Sequence, residues 1–145
     1  MKVDEIQQPG EPARAALQSQ TSRPHRILVV DDEPLIRELN VERLIAAGYQ
    51  VDAAEDGAAA WDTLQLKSYD LIITDNTMPR MTGLQMIEKV HAAGMVVPVI
   101  MASGTLPKEE FTRYRWLQPV ATLPKPYTAA ELLGMVKEVL ARPSP

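Results

Sequence analysis

The sequence predicts an α/β fold with a single parallel sheet, on three observations. Short apolar runs recur five times between Arg26 and Leu123. Each is followed by a stretch whose apolar residues return at helical spacing. Gly, Pro or a capping residue separates the two kinds of segment. Strands and helices that alternate in this way form a parallel sheet through right-handed crossovers, with helices on both faces.

The elements follow in order. Arg26 to Val30 is a short continuous apolar run, suited to a strand buried on both faces. Pro34 then opens a helix, where its missing N–H costs nothing. Leu35, Ile36, Leu39, Leu44 and Ile45 mark that helix's apolar face, and Gly48 ends it. Tyr49 to Ala54 is the second strand. Asp56 caps a helix running to about Lys67. Leu71 to Thr74 is the third strand, Thr82 to Ala93 a helix stopped by Gly94, and Val96 to Ala102 the fourth strand. Lys108 to Leu117 is expected to be one helix, with Phe111, Tyr114 and Leu117 inward. Val120 to Leu123 is the fifth strand, with Pro119 at its edge. Thr128 and Glu131 form a capping box, after which Leu132, Leu133, Val136, Val139 and Leu140 make one buried face.

Composition narrows the function. The chain has 145 residues, the length of one domain, and 46% of them are hydrophobic. Its formal net charge is −4, which argues against binding nucleic acid by charge. There is no cysteine, so disulfides and thiolate metal sites are excluded. No apolar run reaches the roughly 18–20 residues of a membrane span, and residues 1–24 carry no secretory apolar core. A cytoplasmic protein without membrane contact is expected. Residues 1–24, rich in Gln, Pro, Ser and Ala, read as a disordered tail, and residues 142–145 as a frayed end.

In a parallel α/β sheet, ligands bind beyond the carboxyl ends of the strands. Asp31, Asp32 and Glu33 stand after the first strand and Asp75 after the third. Ser103 and Gly104 follow the fourth, and Lys125 the fifth. Taken singly these are ordinary residues: acids favour a helix N-terminus, and lysines are usually solvated. Their conjunction is specific. Converging carboxylates repel unless a hard divalent cation such as Mg²⁺ sits among them. Lys125 adds a cation facing Asp75, and Ser103 a hydroxyl donor. Nucleophile, metal, cation and hydroxyl together suit phosphoryl transfer onto an aspartate.

The segments ILVVDDEP, DLIITDNTMPRMTG, PVIMASG and LPKP resemble the signatures of response-regulator receiver domains of two-component signalling, over about residues 25–141. The resemblance implies a flavodoxin-like fold, five helices on a five-stranded parallel sheet of order 2-1-3-4-5. It implies Asp75 as phosphoacceptor, receiving its phosphoryl group from a sensor histidine kinase or a phosphotransfer protein. It makes Asp32 a direct Mg²⁺ ligand, Asp31 a direct or water-mediated one, and the Thr77 backbone carbonyl another. Ser103 would report the phosphoryl group, Lys125 would pair with it, and the Lys125–Pro126 bond would be cis. One position departs from the pattern: Thr122 stands where many members carry an aromatic residue.

With no output domain visible in the sequence, the expectation is a stand-alone, CheY-like receiver, monomeric or weakly dimeric. It would signal to an unidentified downstream protein through a face spanning roughly Lys108 to Leu140, without turning over an external substrate. A phosphate sink or relay, or a phosphorylation-independent pseudo-receiver, is the alternative. An aspartate-nucleophile phosphohydrolase fits less well, because Thr77 stands where a haloacid-dehalogenase-like enzyme carries its second aspartate. Phe111 to Trp116 interleaves aromatics with arginines, but the acidic chain argues against its binding nucleic acid.

Overall fold

The computed structural model describes residues 23–142. The tail expected over residues 1–24 therefore lies outside the described residues except at Arg23 and Pro24, and so does most of the frayed end. The strands are β1 (Arg26–Val30), β2 (Gln50–Ala54), β3 (Leu71–Thr74), β4 (Val99–Ser103) and β5 (Ala121–Pro124). The helices are α1 (Pro34–Ala46), α2 (Gly57–Leu64), α3 (Gly83–Ala92), α4 (Lys108–Arg113) and α5 (Ala129–Ala141), with a 3₁₀ turn at Arg115–Leu117. All strand pairs are parallel, in the order β2-β1-β3-β4-β5.

Side-chain alternation sorts the central strands into two cores. Leu28, Val30, Ile72 and Met101 meet Ala60 and Leu64 of α2, Met86 and Val90 of α3, and Phe111 of α4. Ile27, Val29, Ile73 and Ile100 face the other way, onto Leu44 of α1 and Leu132, Val136 and Val139 of α5. Ile27, Leu28, Ile72 and Ile100 are wholly shielded from solvent. Burial of each such side chain contributes about 1.5–3 kcal/mol, so the middle of the sheet is a rigid base for its edge.

Four expectations need correction. The stripe Leu35, Ile36, Leu39, Leu44 and Ile45 does not form the buried face of α1. Asn40 and Leu44 are buried, whereas Leu35 is 69% and Ile45 54% exposed. The helix is turned so that the Asn40 amide donates to the Tyr127 hydroxyl at 2.6 Å. α2 stops at Leu64, short of Lys67. β4 starts at Val99 rather than Val96, since Pro98 has no N–H for the ladder and offers its carbonyl to Ile72 instead. The single helix over Lys108–Leu117 is broken at Tyr114, whose backbone is extended. The break buries Leu117 and leaves Tyr114 45% exposed, outside the core.

Candidate functional site

Strand register assembles the site. Val30 lies beside Thr74, and Ser103 beside Pro124. The residue after each strand therefore emerges next to its counterpart. Backbone bonds carry the alignment one residue further. The amide of Asp75 donates to the Val30 carbonyl at 3.0 Å, and that of Lys125 to the Ser103 carbonyl at 3.1 Å. The Lys125–Pro126 peptide is cis.

The Lys125 ammonium donates to Asp31 Oδ2 and to Asp75 Oδ2, each at 3.0 Å, and to Glu33 Oε1 at 3.3 Å. The other oxygens are also occupied. Asp31 Oδ1 accepts the Glu33 N–H at 3.0 Å, and Asp75 Oδ1 the Asn76 N–H at 2.7 Å. Asp31 and Asp75 are buried, while Asp32 is exposed. One carboxylate oxygen from each of Asp31, Asp32 and Asp75 lies within 4.8 Å of the others. Burial raises the Asp31 pKa above its ordinary value, against the pull of the Glu33 N–H and Lys125. Burial also disfavours the Lys125 charge, but its bonds to Asp31 and Asp75 outweigh that and hold its pKa above the usual lysine value.

Lys125 thus pairs with three of the four acids here, Asp31, Glu33 and Asp75, while Asp32 completes the acidic cluster. The Arg37 guanidinium donates to the Asp31 carbonyl at 2.8 Å. The remaining charge and the all-oxygen donor set fit a hard divalent cation. Thr77, on the loop after Asp75, offers a carbonyl to which no described residue donates. The loop returns sharply into α3: the Gly83 N–H donates to the Asn76 carbonyl at 3.0 Å, and a Cβ at Gly83 would collide with the Asp75 carbonyl.

Ser103 is buried at the end of β4, yet it is not bonded to the cluster. Its hydroxyl donates to the Thr105 carbonyl at 3.1 Å and accepts the Thr105 N–H at 3.2 Å. Thr122 is exposed on β5. Three contacts escaped the sequence reading: Glu33 to Lys125, Asn40 to Tyr127, and Arg80 to Asp56. Only Asn40 left a trace, as a polar residue inside an apolar helical stripe.

Comparison with known proteins agrees with this geometry. The family described as response regulator receiver domain matches residues 27–137. The response regulator MprA of Mycobacterium sp. (strain KMS) is 35% identical over 124 residues, which cover 84% of this chain and 53% of that protein. The chain thus spans about half the length of that relative. The chemotaxis response regulator CheY4 of Vibrio cholerae superposes with a TM-score of 0.73 at 30% identity, covering 80% of this chain and 98% of its own. The response regulator TrrA of Thermotoga maritima, solved in complex with Mg²⁺ and BeF, gives a TM-score of 0.69 at 33% identity, covering 79% and 98%. With the sheet order, the strand-end residues and the family match in agreement, this chain belongs to the response regulator receiver domain family.

Proposed function

We propose that Asp75 accepts a phosphoryl group from a phosphohistidine on a sensor histidine kinase or phosphotransfer protein, in a reaction that needs Mg²⁺. The observation that carries this reading is the convergence of Asp31, Asp32 and Asp75 beside Lys125. Asp31, Asp32, Asp75 and the Thr77 carbonyl would hold the cation. When bound, Mg²⁺ offsets negative charge on the cluster and on the incoming phosphoryl oxygens. The Thermotoga relative solved with Mg²⁺ and BeF supports the same chemistry.

The chain's own residues supply the rest. Asp75, held by β3 and by the Asn76 N–H, presents a carboxylate oxygen that bonds to phosphorus as the donor's P–N bond breaks. Lys125 stays beside the new acyl phosphate and compensates its charge. For Ser103 to donate to a phosphoryl oxygen, its hydroxyl must release the Thr105 carbonyl. That exchange frees residues 104–107 and links the phosphoryl group to the Lys108–Leu140 face. A hollow of about 370 Å³ beside Lys125, edged by Ile36, Leu39, Pro126 and Tyr127, supports docking of a protein donor with an apolar surface.

The test is intact mass after incubation with acetyl phosphate. One added phosphoryl group is expected with Mg²⁺ and none after chelation. A mass unchanged in the presence of Mg²⁺ would overturn the reading. Turnover of a generic phosphate ester would favour the phosphohydrolase instead. The self-bonded Ser103 and the exposed Thr122 favour one second reading, a phosphate sink or relay. Amide shifts on adding beryllofluoride and Mg²⁺ separate the two. Shifts spread over residues 75–80, 103–117 and 122–127 mark a surface switch, and shifts confined to the neighbours of Asp75 mark a sink.

A further inference from the structure

The loop that carries Thr77 is tied down at a second place, away from the acidic cluster. Arg80 has φ of +67°, a left-handed conformation that costs any residue with a Cβ. A glycine would take it freely, so a side chain here must be held by something. Its Nε donates to Asp56 Oδ2 at 2.7 Å, its Nη2 reaches the same oxygen, and Glu55 lies 3.7 Å away.

Asp56 is 3% exposed and caps α2 by accepting the Ala59 N–H on its other oxygen at 2.8 Å. It is therefore a fixed anchor rather than a floating surface acid. The adjacent residues touch as well. The Gly57 N–H donates to the Met81 carbonyl at 3.2 Å, and a Cβ at Gly57 would stand 2.5 Å from that oxygen. The β3–α3 loop is thus bonded to the β2–α2 loop at two neighbouring points, one ionic and one backbone.

We propose that Arg80, latched to Asp56, is a positioning residue that holds the β3–α3 loop with the Thr77 carbonyl aligned for a divalent cation. The inference rests on the reading of the acidic cluster given above. Arg80 touches no member of that cluster, so it acts through the loop backbone. If losing the latch leaves the loop correctly placed for only a fraction of the time, the apparent dissociation constant rises by the inverse of that fraction.

Arg80→Gly removes the ion pair while keeping the left-handed backbone accessible. Arg80→Asn also tolerates that backbone, without glycine's added chain freedom, and must show the same loss if the ion pair is its cause. Mg²⁺ binding is measured by calorimetry, amide exchange and melting on the metal-free protein. The Mg²⁺ dissociation constant is expected to rise about 3- to 10-fold. The Gly57 amide should exchange faster without metal, and the melting temperature should stay within about 3 °C of the parent. Arg80→Lys keeps the charge but not the guanidinium fork, and should fall between the two. Parental Mg²⁺ affinity in Arg80→Gly overturns the latch and leaves the cluster reading intact. Equal losses in Arg80→Lys and Arg80→Gly overturn the ionic origin. A parent protein that binds no Mg²⁺ overturns the cluster reading and this inference together.

Discussion

The side chains of Asp31, Asp75 and Lys125 stand already joined across three strand ends, whereas the hydroxyl of Ser103, on the strand next to β3, is bonded only to Thr105 of its own loop. Both regions are buried and sit on the same rigid sheet, so packing does not separate them. Charge does. A bond to an ionised partner is worth about 1.5–3 kcal/mol net and a neutral one about 0.5–1.5 kcal/mol. The acid–lysine half is therefore already assembled, and the Ser103 half is held by bonds weak enough to exchange. The phosphoryl transfer proposed above would use both properties: a fixed nucleophile and a hydroxyl free to change partners.

The strongest break in this contrast is Asp75→Asn, which is expected to abolish phosphoryl uptake in the intact-mass assay. Labelling at the parental level would move the acceptor to another residue. Next come the two leading acids. Asp32→Ala should weaken Mg²⁺ binding about tenfold, near 1.4 kcal/mol, with little change in melting because Asp32 is exposed. Asp31→Ala should lower the melting temperature as well, since Asp31 also anchors Lys125. A calorimetric titration beside a thermal melt reads both, and identical profiles for the two variants would erase the distinction.

Lys125→Ala removes the cation that Asp31 and Asp75 share. Without metal it should cost about 1–3 kcal/mol, and saturating Mg²⁺ should recover part of the loss by binding the folded state. A variant as stable as the parent without metal would show that the ion pairs only offset burial of the charges. Ser103→Ala sharpens the other side. It removes two bonds to the Thr105 backbone and should cost about 1 kcal/mol, with phosphoryl uptake retained. The amide shifts over residues 103–117 should vanish, and their persistence would assign the switch elsewhere.

Asp56 gives the smallest effect and a reference point, as a buried acid paired outside the cluster. Burial opposes its ionisation, but the Ala59 N–H and Arg80 prevail and hold its pKa below the usual aspartate value. A depressed folded pKa means that its stabilisation is full above about pH 4 and is lost as pH falls through the folded value. Asp56→Asn should flatten that part of the acid-unfolding curve, read by melting between about pH 5 and pH 2. An unchanged curve would leave the Arg80 pairing without energetic weight.

The sequence by itself determined the five strands in outline, most caps and which acids and lysine stand at the strand ends, because those signals are local. The apolar runs of β1 and β3 are continuous since both faces are covered, and Thr128 and Glu131 satisfy each other within one turn. Asp31, Asp75 and Lys125 were legible because each closes a strand, and parallel strands bring their carboxyl ends to one edge. Tertiary structure decided the rest. Leu35, Leu39 and Ile45 of the α1 stripe turned outward while Leu44 stayed in the core and Asn40 met Tyr127, 87 positions along the chain. The helix expected over Lys108–Leu117 broke at Tyr114 and brought Leu117 into the core. Ser103 chose Thr105, and Arg80 chose Asp56 across two loops. Periodicity and capping report what a segment prefers alone. Which face it turns inward, and which distant charge it meets, depend on neighbours that folding alone brings near.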